Sequence, residues 1–172
     1  MGESDRVMQT ASEFAAEVRA RFSWLVADYG FRSRPPLVCA LENGESEWLP
    51  LGAVTDGPLQ VRSVRVEFET DAVVVHVTHD PNSEQSVQLT SRLLPEPSRV
   101  DLWHVMSFVR APELDQPAWR GKWGAINQAR DLGVLAGALK RYAGPWLAAD
   151  AQHWKDLLSW WAGGMQPRER SA

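Results

Sequence analysis

Residues 64–79 read VRVEFETDAVVVHVTH, and this stretch decides the fold because apolar and polar side chains alternate along it. Alternation with a period of two predicts strands that bury one face and leave the other wet. Thr70-Asp71 separates the two runs and predicts a tight reversal, so the strands pair as an antiparallel hairpin. The residues predicted to face the core are Val64, Val66, Phe68, Val73, Val75 and Val77. The residues predicted to face water are Arg65, Glu67, Glu69, Val74, His76 and Thr78.

The predicted sheet extends on both sides of this hairpin. Residues 87–91 (VQLTS) alternate again and predict a third strand. Before the hairpin, residues 37–41 (LVCAL) predict a short strand, and residues 48–51 (WLPL) are its candidate return strand. Pro50 places the return strand at a sheet edge, because proline has no N–H to donate to a neighbour. We therefore expect an antiparallel meander of four to five strands.

Helical periodicity flanks this sheet. Residues 7–29 carry apolar side chains three or four positions apart, which predicts an amphipathic helix that ends at Gly30. Three more helices are predicted in the C-terminal half: about ten residues with Ser98 as N-cap, residues 125–142, and a helix capped by Asp150. On the last helix, Trp154 and Trp161 are predicted to lie in the core, with Trp160 at its margin.

Strands and helices are thus segregated along the chain. This order predicts an α+β fold in which the helices pack on one face of an antiparallel meander sheet, between an N-terminal helix and three C-terminal helices. Residues 1–164 are predicted to form a single α+β domain, and residues 165–172 a flexible C-terminal tail.

Composition narrows the class of protein. The chain has 172 residues, 44% of them hydrophobic and 23% charged, which is typical of a globular protein and excludes global disorder. Cys39 is the single cysteine, so an intrachain disulfide is excluded. The N-terminal residues lack a signal-peptide pattern and no apolar stretch is long enough to span a bilayer, so we expect a cytoplasmic protein without a membrane partner. A net charge of −4 argues against a nucleic-acid partner.

Candidate catalytic and metal-binding residues are better explained as structural. His76 and His79 lie three apart on a strand and project to opposite faces, so they do not share a metal ion. Glu67 and Glu69 share a face with arginines, which favours solvated cross-strand ion pairs over acid–base catalysis. Phosphate-binding loops of the Walker type are missing from the sequence. We expect no catalytic residue, no metal and no cofactor.

Residues 119–124 (WRGKWG) are the most suggestive segment for function. Tryptophan and arginine are enriched at binding hot spots, so this loop is a candidate surface for a protein partner. The alternatives are that its tryptophans plug the junction of sheet and helices, or that they stack on bases of single-stranded nucleic acid. The predicted partner-binding residues are Trp119, Arg120, Lys122, Trp123 and Trp160.

Two further functional hypotheses stay open. One is a small-molecule-binding protein or an enzyme with an aromatic pocket between sheet and helices, lined by Trp48, Trp103 and His104. The other is nucleic-acid binding, which requires one continuous basic face without interleaved carboxylates. The residues of that face would be Arg120, Lys122, Arg130 and Arg141.

Three segments resemble a family of small bacterial proteins of unknown function that includes immunity proteins of polymorphic toxin systems. These segments are residues 22–31 with FSWL and YGF, the strand at 73–80, and LAGALKRY at 135–142 leading to Leu147 and Asp150. The resemblance implies a non-catalytic protein that binds one protein partner tightly, such as a toxin. A partly exposed tryptophan on the last helix would also suit a contact with a second copy of the chain, as a homodimer.

Overall fold

The structure is a computed structural model and describes residues 3–42, 45–53, 60–79, 85–94, 98–115 and 132–164. Within these residues the strands form one seven-stranded antiparallel sheet, with the order β3-β2-β4-β5-β6-β7 and β1 beside β4. The strands are β1 (Arg32–Ser33), β2 (Leu37–Glu42), β3 (Glu45–Pro50), β4 (Gln60–Glu69), β5 (Val73–His79), β6 (Gln85–Ser91) and β7 (Ser98–Asp101).

The sheet confirms the α+β class and the meander but has more strands than the four to five predicted. The two strands that were missed, β1 and β7, are only two and four residues long. Segments this short carry too few residues for an alternating pattern to be recognised. β1 and β2 pair with successive parts of the same strand, β4, and Pro35-Pro36 lie between β1 and β2, where they interrupt the pairing. The N–H of Arg34 bridges part of the gap by donating to the carbonyl oxygen of Glu67 over 2.9 Å.

The central hairpin forms as the alternation predicts. Val66 pairs with Val77 and Phe68 with Val75, and these side chains are fully buried. Thr70 closes the turn, because its hydroxyl accepts hydrogen bonds from the N–H groups of Ala72 and Val73 at 3.3 and 3.0 Å.

Six α-helices are found among the described residues: α1 (Glu3–Arg21), α2 (Ser23–Tyr29), α3 (Leu102–Phe108), α4 (Leu132–Tyr142), α5 (Gly144–Leu147) and α6 (Ala151–Ala162). Apolar residues of α1, α3, α4 and α6 belong to the same buried cluster as the valines predicted to face the core. The helices thus cover one face of the sheet. None of the described helices is long and apolar enough to cross a membrane.

The helical periodicity at 7–29 corresponds to two helices rather than one, because the chain breaks at Phe22 between α1 and α2. Gly30 ends α2 as predicted. Its φ of 70° is the left-handed conformation, and its N–H donates to the carbonyl oxygen of Val26 over 3.2 Å.

The predicted start of α3 at Ser98 is wrong. Ser98 begins strand β7, which pairs with β6, and the helix begins at Leu102 with Asp101 as its N-cap. Val100 is buried in the observed strand and would also be buried in a helix. The apolar pattern therefore does not distinguish a strand from a helix at this position. The strand forms because pairing with β6 gives hydrogen-bond partners to backbone groups that would otherwise be left open along the edge of the sheet.

Candidate functional site

Most of the predicted partner-binding residues lie outside the described residues. This applies to Trp119, Arg120, Lys122 and Trp123. The fifth residue, Trp160, is half-buried on α6, and its ring meets that of Phe108 edge-on with 5.6 Å between centroids. The α3–α6 contact around Trp160 is therefore the part of the predicted interface whose geometry is known.

Aromatic rings from α3 and α6 contact one another there in two groups, and the adjacent residues Trp160 and Trp161 belong to one group each. Trp103 stacks on His104 at 4.0 Å between ring centroids, and His104 contacts Trp161 at 4.8 Å. We call the set Trp103, His104, Phe108, Trp160 and Trp161 the α3–α6 aromatic surface.

Trp161 is the exposed member of this surface, and the prediction that it lies in the core is wrong. It is 41% exposed, although it follows Trp154 and Leu157 on one stripe of α6 and those two are fully buried. The next residue, Ala162, is the last of the helix, so the stripe ends at the margin of the core. Periodicity predicts which face a residue occupies but not how far the neighbouring elements extend along the helix.

His104 is held in one tautomer within this surface. Its Nδ1 accepts a hydrogen bond from the N–H of Asp101 at 3.2 Å, so in the neutral ring the proton is on Nε2. Burial lowers the pKa of His104, although Asp101 partly opposes this effect, so the ring is neutral at pH 7. The indole N–H of Trp103 is also buried and has no acceptor among the residues that the structure describes.

The structure brings together two of the three residues of the predicted pocket. Trp103 and His104 stack on each other, whereas Trp48 lies on β3, at the opposite edge of the sheet from β7. Five interstrand spacings separate these edges, which corresponds to about 24 Å along the sheet. Trp48 instead lies beside Arg65, whose Cζ is 3.9 Å from the centroid of the indole ring. The geometry therefore gives Trp48 no part in a pocket with the other two residues.

The face of the sheet opposite the helices carries a second group of polar side chains. His76 Nδ1 lies 3.0 Å from Glu67 Oε1, and His76 Nε2 lies 3.0 Å from the hydroxyl oxygen of Thr90. The hydrogen bond from His76 is the largest cause that lowers the pKa of Glu67, so the carboxylate is ionised and Nδ1 donates to it. We call Glu67, His76 and Thr90 the polar relay.

The prediction that this face is wet is wrong for its centre. Val74, His76 and Glu69 are only 5%, 7% and 7% exposed. Long side chains from neighbouring strands and from the segments that follow them cover His76 and Glu69, since Glu67 lies directly across from His76, and Arg34 and Arg92 both contact Glu69. Strand alternation shows which residues share a face, whereas their exposure depends on what the adjacent strands contribute.

The polar relay has the hydroxyl–imidazole–carboxylate order of nucleophilic triads. Such triads also need N–H donors that stabilise the oxyanion, commonly from the backbone. β4, β5 and β6 each have a neighbour on both sides, so their backbone N–H groups are engaged in the sheet. What the relay does provide is a link across three strands, since Glu67, His76 and Thr90 lie on β4, β5 and β6.

Neither a metal site nor a continuous basic face for nucleic acid is formed by the described residues. His79 packs against Phe14 on the helix-covered face, at 5.3 Å between ring centroids, so it is separated from His76 by the sheet. Among the described residues, no group of three or more metal-ligating side chains forms. Arg141 of the hypothetical basic face is paired with a carboxylate, Glu113, which also accepts from Tyr142. The other three members of that face lie outside the described residues.

No protein-family model, no curated protein and no solved structure matches this chain. The function is therefore argued from the geometry of the surfaces above.

Proposed function

We propose that this chain is a non-catalytic protein that acts by binding a partner protein, and that the α3–α6 aromatic surface is a main part of the contact. The observation that carries the proposal is the exposure of Trp161, which is 41% accessible while its ring rests on His104. An exposed tryptophan held in place by a neighbouring ring offers a large apolar area at a low cost in side-chain entropy.

Two further features support a protein contact at this surface. Val109 directly follows α3 and is 39% exposed, so it adds an aliphatic side chain close to Phe108. Trp103 is half-buried and stacks on His104, so its ring enlarges the aromatic area around Trp161. A central aromatic group surrounded by contacts that exclude water is the usual composition of a binding hot spot.

The partner that we propose is a protein toxin inside the same cell, as for immunity proteins, and the protein would then act in the cytoplasm. The three segments that resemble that family support this choice. The alternative partner is a second copy of the chain, which would form a homodimer through the same surface.

The test compares Trp161→Ala with Val26→Ala, a control that removes an exposed apolar side chain from α2, where Val26 is 47% exposed. Proteins captured from the native host by the wild-type chain are purified, and their affinity for each variant is measured by calorimetry. Sedimentation of each variant alone tests the homodimer. We expect Trp161→Ala to weaken the contact at least tenfold, as for a typical hot-spot residue, and Val26→Ala to leave it unchanged. Equal affinity of wild type and Trp161→Ala for the partner would contradict the proposal.

A further inference from the structure

Four arginines converge on one end of the sheet, around the turn between β4 and β5. Arg34 Nε lies 2.8 Å from Glu69 Oε1, and Arg92 Nη2 lies 3.0 Å from Glu69 Oε2. Arg32 Nη2 contacts Asp71 Oδ1 at 3.1 Å. Arg19, on α1, extends to the same end of the sheet, where its Nη2 donates to the carbonyl oxygen of Arg34 at 3.2 Å. We call Arg19, Arg32, Arg34 and Arg92 the arginine cluster.

Glu69 anchors the cluster because its carboxylate is almost completely covered. Its side chain is 9% exposed, whereas those of Arg34 and Arg92 are 54% and 42% exposed. Burial opposes ionisation of Glu69, yet the hydrogen bonds from both guanidinium groups outweigh it and lower the pKa of this carboxyl. Each oxygen of Glu69 thus fixes one arginine, and the positions of both guanidinium groups are set before any ligand arrives.

The cluster retains donors and charge for a ligand. A guanidinium group has five N–H donors, and contacts with the described residues use one or two per arginine, so other donors remain on side chains that are well exposed. Among the described residues, the four cations face two carboxylates, Glu69 and Asp71. Glu67 also interacts with Arg34 but has Arg65 as a further cationic partner, so a local excess of positive charge remains in a chain whose net charge is −4. Leu93, the residue after Arg92, is 38% exposed and adds an apolar side chain next to the cluster.

We propose that the arginine cluster is a docking site for an acidic segment of a protein, with paired guanidinium groups binding its carboxylates and Leu93 contacting an apolar side chain. Arginines that are already oriented bind carboxylates in the bidentate geometry that favours recognition. A protein segment fits better than nucleic acid, because a chain of net charge −4 repels a long polyanion while a local cluster attracts a short one. This inference does not depend on the α3–α6 aromatic surface, whose residues the cluster does not share.

The test uses a fluorescently labelled peptide of eight glutamates with one leucine, and fluorescence anisotropy at about 50 mM salt, where surface charges are only moderately screened. The variant Arg32→Gln/Arg34→Gln removes two charges from the cluster. The matched control, Arg21→Gln/Lys155→Gln, removes two charges from exposed positions on α1 and α6. We expect the cluster variant to bind the peptide at least tenfold more weakly than wild type, and the control to change binding less than twofold.

A single substitution keeps the test valid if the double variant does not fold. Arg32→Gln removes a side chain that is 69% exposed and contacts the exposed Asp71, so the fold is retained, and we expect about threefold weaker binding. A single-stranded DNA of eight nucleotides is measured in parallel. Absence of peptide binding, equal losses in cluster and control variants, or tighter binding of the DNA than of the peptide would each overturn the proposal.

Discussion

The polar relay allows a quantitative test of how the sheet is held in register. In the relay, His76 connects β4 and β6 through hydrogen bonds of 3.0 Å to Glu67 and to Thr90. The test is a double-mutant cycle of His76→Leu, Glu67→Leu and the combination of both. Leucine fills a similar volume without polar atoms, so each single variant leaves one partner unsatisfied and the double variant removes both.

The magnitudes follow from the contacts. His76→Leu loses a hydrogen bond to a charged group, worth about 1.5–3 kcal/mol, and one to a neutral hydroxyl, worth about 1 kcal/mol. It also leaves the Glu67 carboxylate, whose side chain is 13% exposed, with Arg65 Nη1 at 3.9 Å as its nearest ion-pair partner among the described residues. We therefore expect a loss of about 2.5–4 kcal/mol in the free energy of unfolding for His76→Leu.

The double variant is expected to be less destabilised than the sum of the single variants. Replacing both partners with apolar groups removes the penalty for a buried unpaired charge, so we expect a coupling energy of about 1.5–3 kcal/mol between positions 67 and 76. The free energies come from urea denaturation at pH 7, followed by tryptophan fluorescence and by circular dichroism. A coupling below about 0.5 kcal/mol, the range found for independent sites, would refute the reasoning.

Glu67→Gln tests the charge of the same carboxyl through its pH dependence. The folded-state pKa of Glu67 lies below its ordinary value, chiefly because of the hydrogen bond from His76. Its contribution to stability is therefore complete above the unfolded-state pKa and is lost as the pH falls through the folded-state pKa. We expect the difference in unfolding free energy between wild type and Glu67→Gln to shrink below about pH 4.5, near the ordinary pKa of glutamate. A difference that stays constant down to pH 3 would contradict this.

Three further variants test single features of the fold by urea denaturation. Trp154→Phe is expected to lower the free energy of unfolding by about 2–3 kcal/mol. The buried indole N–H donates to the carbonyl oxygen of Trp146 at 3.2 Å, and the smaller ring also leaves a void. A loss below about 1 kcal/mol would contradict that contact. Asp150→Ala removes the N-cap of α6, whose carboxylate accepts two backbone hydrogen bonds, and is expected to cost about 1 kcal/mol, with Asp150→Asn retaining most of the stability. Gly30→Ala is expected to lower the free energy of unfolding by about 1 kcal/mol. The cause is the φ of 70° alone, since a Cβ at this position meets no atom within 4 Å. An unchanged stability would show that the left-handed conformation is not required.

The alternating pattern at 64–79 was sufficient to predict the central hairpin and its buried face, but not its register. A two-residue reversal at Thr70-Asp71 pairs Glu67 with Val74, whereas the structure pairs Glu67 with His76. The difference is the turn, which runs from Thr70 to Val73 because the Thr70 hydroxyl accepts from two N–H groups. Register is fixed by the geometry of the turn, and this placed His76 beside a carboxylate.

The candidate surfaces were less predictable than the core. Trp160 was predicted to lie at the margin of the core and Trp161 within it, whereas the structure half-buries Trp160 and exposes Trp161. The arginine cluster combines residues from α1, β1, the segment after β1, and the segment after β6. No spacing rule connects positions so far apart in sequence, so only the folded chain brings their charges together.

The sequence by itself determined the class of fold, the core faces of the central strands, the edge position of the WLPL strand, and the left-handed end of α2 at Gly30. These features depend on local physics: the period of two or of 3.6, the missing N–H of proline, and the absence of a Cβ in glycine. Only the tertiary structure decided which polar groups are buried, which tryptophan is exposed, and which arginines share an anchor. These properties depend on the side chains that strands and helices distant in sequence contribute to one place, and a local pattern does not contain that information.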